Sequence, residues 1–257
     1  MSDTFNRIVF EHMDWGISPE MESAAKNIAN FLHDHPDKIE LAREGMRALV
    51  DIRKRNADWV SHFQNWKNVV CKMKRINVNA PDYKAFFQLI KNCFDVCGTL
   101  KDFEKMCGTV PEKYVEVAYE TRYISRHPQL RDNGCKVIID GNEVVYQPEC
   151  TVDRDGDADI RCVSVDIAAW DGRFSDFIEI KISPEGFQTK NINYFRLLRQ
   201  RLVEKDLRHF IRLYTWGQKD LLKERLALLG VGEDEFLLLV GKEVKEVAPV
   251  EELAVGL

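Results

Sequence analysis

The chain has 257 residues, of which 45% are hydrophobic, 31% charged and 10% aromatic. That is enough apolar material for one large domain or two modest ones, and it excludes a disordered chain, a collagen-like chain and a disulfide-stapled miniprotein. The formal charge of −5 excludes a surface coated uniformly in positive charge, while leaving room for local basic patches that bind nucleic acid.

No apolar run approaches the ~20 residues of a membrane helix. The longest late run, Phe236 to Val240, reads as a buried strand. The start, Met1-Ser2-Asp3-Thr4-Phe5-Asn6, lacks a charged-then-apolar signal pattern. Seven cysteines without a repeating spacing suit reduced thiols. The expectation is a cytoplasmic protein with no membrane partner.

In chain order, the first hundred or so residues read as helical throughout. Ser18-Pro19 offers an N-cap and a proline at the first helical position, followed by Ala24, Ile28, Phe31 and Leu32 at helical spacing. A second segment carries Ile39, Leu41, Met46, Leu49 and Ile52, and a third carries Trp59, Phe63, Trp66, Val70 and Met73. Asn79-Ala80-Pro81 breaks the pattern. A fourth helix follows with Phe86, Leu89, Ile90, Cys93, Phe94 and Cys97, ending near Gly98.

After Gly108 the pattern changes. One more helix is predicted from about Pro111 to Ser125, then strands from Lys136 to Ile139 and Val144 to Tyr146 around Asp140-Gly141, a strong hairpin signal. Ile160 to Trp170 and Phe174 to Ile182 flank a second such pair, Asp171-Gly172. A helix from about Lys190 to Lys205, a strand from Phe210 to Trp216, a helix from Lys219 to Leu229 and a strand from Glu235 to Val240 complete the pattern. This predicts an all-helical domain at 1–108, a mixed α/β sheet domain at 109–241 and a charged tail at 242–257.

The second hairpin carries the chemistry. With Asp171-Gly172 as the two loop residues, Trp170 faces Arg173, Phe177 faces Asp166, Glu179 faces Ser164 and Lys181 faces Cys162. Alternation then puts Val163, Val165, Ile167, Ala169, Phe174, Ile178, Ile180 and Ile182 on one apolar face. Asp166, Glu179 and Lys181 share the other face, with Asp166 diagonal to Glu179. Two carboxylates beside a lysine suit a hard divalent cation, Mg²⁺ or Mn²⁺, held by Asp166 and Glu179. Such an ion polarises a phosphoryl oxygen and lowers the pKa of water, and Lys181 adds a compact positive charge nearby.

Asp166-Ile167-Ala168-Ala169, a hairpin, then Ile178-Glu179-Ile180-Lys181 resembles the PD-(D/E)xK nuclease superfamily, with motifs like those of archaeal Holliday-junction resolvases. The resemblance covers roughly Pro111 to Val240, in motif and element order. It implies a restriction-endonuclease-like fold, a mixed central sheet flanked by helices in αβββαβ order, and metal-dependent hydrolysis of phosphodiester bonds in nucleic acid, DNA before RNA. It also implies that Asp166 and Glu179 ligate the metal and that Lys181 positions or activates water. An acid on the preceding helix completes such sites; Glu112, Glu116 and Glu120 are available, and Glu120 is favoured for its place near Val117, Tyr123 and Ile124. Val165 stands where the family's first motif has proline, and Gln188 and Tyr194 are further apart than the exonuclease branch's glutamine and tyrosine.

Three questions stay open on the sequence alone. Asp157 or Asp159, in the Asp153-to-Asp159 alternation, competes with Asp166 as first acid if the strand carries a bulge. The Glu-x-Lys tripeptide is common: Glu243-Val244-Lys245 occurs in the same chain. An ordinary solvated strand face would show the same polar–apolar alternation. Cys93, Cys97 and Cys107 lack the paired spacing of zinc sites and read as buried thiols.

Two stretches are basic. Residues 53–75 carry a net charge of +6, and residues 190–212 carry +5. The second follows the candidate strand directly, so Lys190, Arg196, Arg199 and Arg201 are expected to contact nucleic-acid phosphates. The helical domain is expected to bind substrate or a protein partner, and a homodimer is allowed by the resemblance. The alternative is a catalytically inactive module that keeps the nuclease-like sheet to bind nucleic acid or protein.

Overall fold

The computed structural model describes residues 7–53, 58–123, 130–149, 152–154 and 157–245; at 52–53, 120–123, 130–131, 152–154 and 157–158 it describes the backbone alone. The chain divides into two units, residues 16–117 and residues 1–15 with 118–257.

The helical unit is built from α1 (Pro19–Asp34), α2 (Ile39–Arg53), α3 (Trp59–Met73), α4 (Pro81–Asp95) and most of α5 (Leu100–Tyr123). The Ser18 side chain accepts from Met21 N at 3.2 Å, so the predicted cap starts α1. Asp58 does the same for α3, accepting from Val60 N at 3.1 Å. Gly45 lets α2 meet α3 closely: a Cβ there would lie 2.6 Å from the Trp66 ring. Phe63 and Val70 of the predicted α3 stripe are buried, whereas Met73 at its end is 78% exposed.

The structure corrects the expected boundary at 108/109. Gly108 and Pro111 do not end a helix; α5 runs unbroken from Leu100 to Tyr123 with Pro111 inside it. An internal proline costs a helix about 3 kcal/mol. Here Phe103, Met106, Val110, Tyr114, Val115 and Ala118 are all buried on either side of it. That continuous apolar stripe offsets the cost, and the helix passes from one unit into the other.

The second unit is a mixed α/β sheet flanked by helices. Its strands are β1 (Ile8–His12), β2 (Leu130–Ile139), β3 (Asn142–Glu143), β6 (Val165–Trp170), β7 (Phe174–Lys181), β8 (Arg208–Thr215) and β9 (Leu237–Val240), in spatial order β1-β2-β6-β7-β8-β9 with β3 beside β2. β4 (Val152–Arg154) and β5 (Asp157–Asp159) pair separately. β1, β2, β6 and β7 are mutually antiparallel, and β7, β8 and β9 are parallel. The parallel steps need crossovers: α6 (Thr189–Glu204) joins β7 to β8 and α7 (Lys219–Leu228) joins β8 to β9. From α6, Ile192, Phe195, Leu198 and Leu202 pack with Ala168, Trp170, Phe177 and Leu213 of the sheet. No described helix is long and apolar enough to cross a membrane.

Further expectations are corrected. The first residues are not helical: Ile8–His12 forms an edge strand on β2, and Ile8 is fully buried. Residues 160–164 precede β6 rather than belonging to it. The tail begins with a short 3-10 turn, Gly241–Lys245, whose Val244 is buried; 246–257 lie outside the described residues.

Asp140-Gly141 makes the predicted hairpin turn, with positive φ at both (48° and 78°), as a two-residue loop of this kind requires. The second hairpin turns one residue later than expected. Ile167 pairs with Ile178 and Trp170 with Ser175, so the loop is Gly172-Arg173. Asp171 is the closing residue: its carboxylate accepts from Arg173 N at 2.8 Å and Phe174 N at 2.7 Å, and Gly172 takes the left-handed conformation at φ 90°. The pairing therefore slips by two residues against expectation. A slip of two keeps each side chain on its face. It also moves Asp166 from diagonal to directly opposite Glu179.

Both faces of this strand pair are core. Ile167, Ala169, Ile178 and Ile180 are buried on one side, and Ala168, Trp170 and Phe177 on the other. The face expected to be apolar also holds Asp176, 4% exposed, paired with Arg212 Nε at 2.7 Å and accepting from Tyr119 Oη at 3.1 Å.

Candidate functional site

The site forms where β6 and β7 part. Their last paired residues are Ile167 and Ile178, and one step further lie Asp166 and Glu179. Beyond that point Ile180 N loses a main-chain acceptor on β6. The Asp166 carboxylate replaces it, accepting from Ile180 N at 2.7 Å through Oδ2. Asp166 is thus held by the backbone of the strand that carries Glu179 and Lys181.

Glu179 is 3% exposed, between β6 and β8 in the centre of the sheet. A solvated strand face is therefore not its environment. Its Oε1 accepts from Asn191 Nδ2 at 2.6 Å and lies 2.5 Å from Lys181 Nζ. Burial raises the carboxyl pKa to about 7, the negative charge of Asp166 pushes the same way, and Lys181 pulls it down. Lys181 Nζ is also 3.2 Å from Asp166 Oδ2, so one ammonium bridges both carboxylates. Gly186 sets the path of the lysine stem: a Cβ there would come within 3.1 Å of Lys181 Cβ.

Asn191 is a site residue the motif reading missed. It is the third residue of α6, 6% exposed. Its Oδ1 accepts from Gln188 N at 3.1 Å, half of a reciprocal cap, while its Nδ2 reaches Glu179. One amide thereby ties the start of the crossover helix to the buried carboxylate. The Gln188-to-Asn191 spacing is visible in the sequence as a cap; its second role depends on α6 starting beside β7.

The other candidates sort by position. Lys190 is half-buried beside Asn191, and its charge favours the ionised form of Glu179. Arg196 and Arg199 are held elsewhere, against the 230–236 turn. Arg196 makes a two-point pair with Glu235 (2.6 and 2.9 Å) and donates to Gly230 O at 2.8 Å; Arg199 donates to Glu235 O and lies over the Phe236 ring. Arg201 is exposed and pairs with Glu204 at 3.3 Å. Of the four expected phosphate contacts, only Lys190 is placed at the carboxylates. Helical periodicity explains this, since six residues from Lys190 to Arg196 turn well away from the first face. Glu120 belongs to α5, but its side chain lies outside the described residues. Asp159 accepts from Tyr146 Oη at 2.9 Å and from Asn193 Nδ2 at 3.4 Å, whereas the acid that Lys181 bridges to Glu179 is Asp166. The side chain of Asp157 lies outside the described residues.

No protein-family model matches the chain, and no curated protein does. In structure it is similar to protein VC1899 from Vibrio cholerae, at 12% identity and a TM-score of 0.48, with 93% of this chain and 56% of that chain covered. The chain thus spans a little over half the length of that protein.

The two carboxylates offer oxygens, the donor type that a hard divalent cation takes. Each carboxylate keeps one oxygen, Asp166 Oδ1 and Glu179 Oε2, that accepts no hydrogen bond from a described residue. Among the described residues no group of three or more acids, histidines or cysteines converges on one point, so the protein side offers two carboxylates. Mg²⁺ tolerates this, because it keeps several waters and takes one or two carboxylates.

Glu179 gives a stability prediction. Its folded pKa lies above its unfolded one, so between about 4.5 and about 7 the folded state binds more protons, and stability falls as pH rises through that window. In EDTA at pH 8, Glu179→Gln should therefore be more stable than the parent, by about 1–3 kcal/mol, with the gap closing below pH 5. Urea unfolding at the two pH values checks this; a variant less stable at both contradicts the assignment.

Proposed function

We propose that the chain is a metal-dependent nuclease of the PD-(D/E)xK type, hydrolysing phosphodiester bonds in nucleic acid. The observation that carries the reading is the meeting of Asp166, Glu179 and Lys181 at the point where β6 and β7 separate, with Glu179 buried and its charge incompletely offset. The element order supports it. A helix precedes three antiparallel strands, β2, β6 and β7, and a crossover helix leads to parallel β8, as in restriction-endonuclease-like folds.

Asp166 and Glu179 would hold Mg²⁺ or Mn²⁺, which when bound supplies Lewis-acid polarisation of a phosphoryl oxygen and a lower pKa for water. The chain's own residues do the rest. Ile180 N and Asn191 Nδ2 orient the two carboxylates, so little reorganisation is needed during reaction. Lys181, threaded past Gly186, delivers a compact positive charge to the same few ångströms and stabilises charge that builds on the phosphate. Lys190 adds a second positive charge that acts on Glu179.

The test is cleavage of circular and linear DNA and of RNA, with Mg²⁺ or Mn²⁺ and in EDTA. Divalent-dependent cleavage that Glu179→Ala abolishes is expected. Binding of nucleic acid without cleavage under any of these conditions would make the chain a non-catalytic binding module.

A further inference from the structure

Trp15 follows β1 and belongs to the sheet unit. It is a large apolar side chain left 49% exposed, and among the described residues every other exposed large apolar side chain is aliphatic. A single exposed apolar side chain is ordinary on a protein surface; what sets this one apart is how it is held. The anchoring is specific. Trp15 Nε1 donates to Gly134 O at 3.3 Å, and Met13 N donates to the same carbonyl at 3.1 Å. Gly134 has φ 56°, and a Cβ at this position would lie 2.4 Å from Trp15 Nε1. The strand therefore needs glycine here both for its left-handed turn and to let the indole lie on its backbone.

Gly134 stands next to the site. On β2 it falls between Asn133, paired with Ile167, and Cys135, paired with Val165. Asp166 occupies the matching position on β6, between Ile167 and Val165. The indole thus rests on β2, the strand beside the one that carries Asp166.

We propose that Trp15 is a stacking platform for an unpaired nucleobase beside the scissile phosphate, so that the preferred substrate is single-stranded at the cut. This inference rests on the nuclease reading and extends it to a substrate class. A base inside a duplex presents only its edges, whereas an unpaired base offers a face to an aromatic ring. A lone, preoriented ring suits one base better than it suits a protein partner, which would need a contiguous apolar patch.

The test uses a short fluorescein-labelled single strand of deoxythymidine, bound in Ca²⁺ and cleaved in Mg²⁺, with Trp15→Phe and Trp15→Leu. Phenylalanine keeps an aromatic face; leucine keeps an apolar cover over Gly134 without one. Trp15→Leu should bind about 5- to 150-fold more weakly than the parent, with Trp15→Phe much closer to it and both variants melting at similar temperatures. An abasic site stepped along the strand should cancel the difference when it flanks the cut. If leucine binds as well as phenylalanine while divalent-dependent cleavage persists, the platform is overturned and the nuclease stands. If the parent neither binds nor cleaves any strand, the nuclease reading is overturned and the platform with it.

Discussion

Lys181→Ala is expected to lower the cleavage rate by about 10²–10³-fold, roughly 3–4 kcal/mol of barrier, with the loss in kcat rather than KM. The ammonium lies 2.5 Å from Glu179 Oε1 and 3.2 Å from Asp166 Oδ2, so its removal leaves two carboxylates facing each other. Like charges at that range push the Glu179 pKa further up, and the cleavage profile should move to higher pH as well as lower rate. Lys181→Arg should not rescue. A planar guanidinium is wider than the ammonium it replaces, and the lysine stem already runs close against Gly186. Single-turnover cleavage across a pH series measures both effects. A Lys181→Ala protein that cleaves within twofold of the parent would remove the lysine from the mechanism.

The second large effect is on stability. Arg212→Met should cost about 3–5 kcal/mol, because it removes the cation 2.7 Å from the buried Asp176 carboxylate and leaves the rest of a buried charge pair behind. Asp176 is 4% exposed and Arg212 2%, on neighbouring strands of the sheet, and Tyr119 Oη donates a neutral hydrogen bond to the same carboxylate. Replacing both charges, Asp176→Leu with Arg212→Met, should recover much of the loss, since no buried charge is then left over. Urea unfolding of the two single variants and the double measures the coupling. A double variant as unstable as the sum of the singles would show that the pair contributes no interaction of its own.

The elements that could be read from the sequence are those whose signals are local. Ser18-Pro19 acts through a hydrogen bond within one turn, and Asp140-Gly141 acts through its own two φ angles. Asp171-Gly172 shows the limit of that logic. The same dipeptide chemistry closes the loop one residue later, because the Asp171 carboxylate prefers to accept from Arg173 N and Phe174 N. Pro111 shows another: a local helix breaker is overruled by a stripe of buried side chains on both sides of it.

The Asp166, Glu179, Lys181 grouping was legible because alternation and a hairpin place residues on faces without help from the rest of the fold, and a two-residue slip preserves those faces. The depth of Glu179 was not legible, nor was the Asn191 amide that meets it. Both follow from α6 crossing over to β8 and covering the sheet. Nor was β1, whose five residues are too few to announce themselves and which pairs with a strand more than a hundred residues away.

By itself, then, the order of amino acids determined most of the helices, the Asp140-Gly141 turn and which ionisable groups share a strand pair, since these depend on contacts a few residues long. Only the tertiary structure decided which charges are withdrawn from water, which arginines are engaged in holding a turn, and that an indole from the chain's beginning lies one strand from Asp166. Desolvation and long-range strand pairing are set by what packs against a residue, and that is not written in its neighbours.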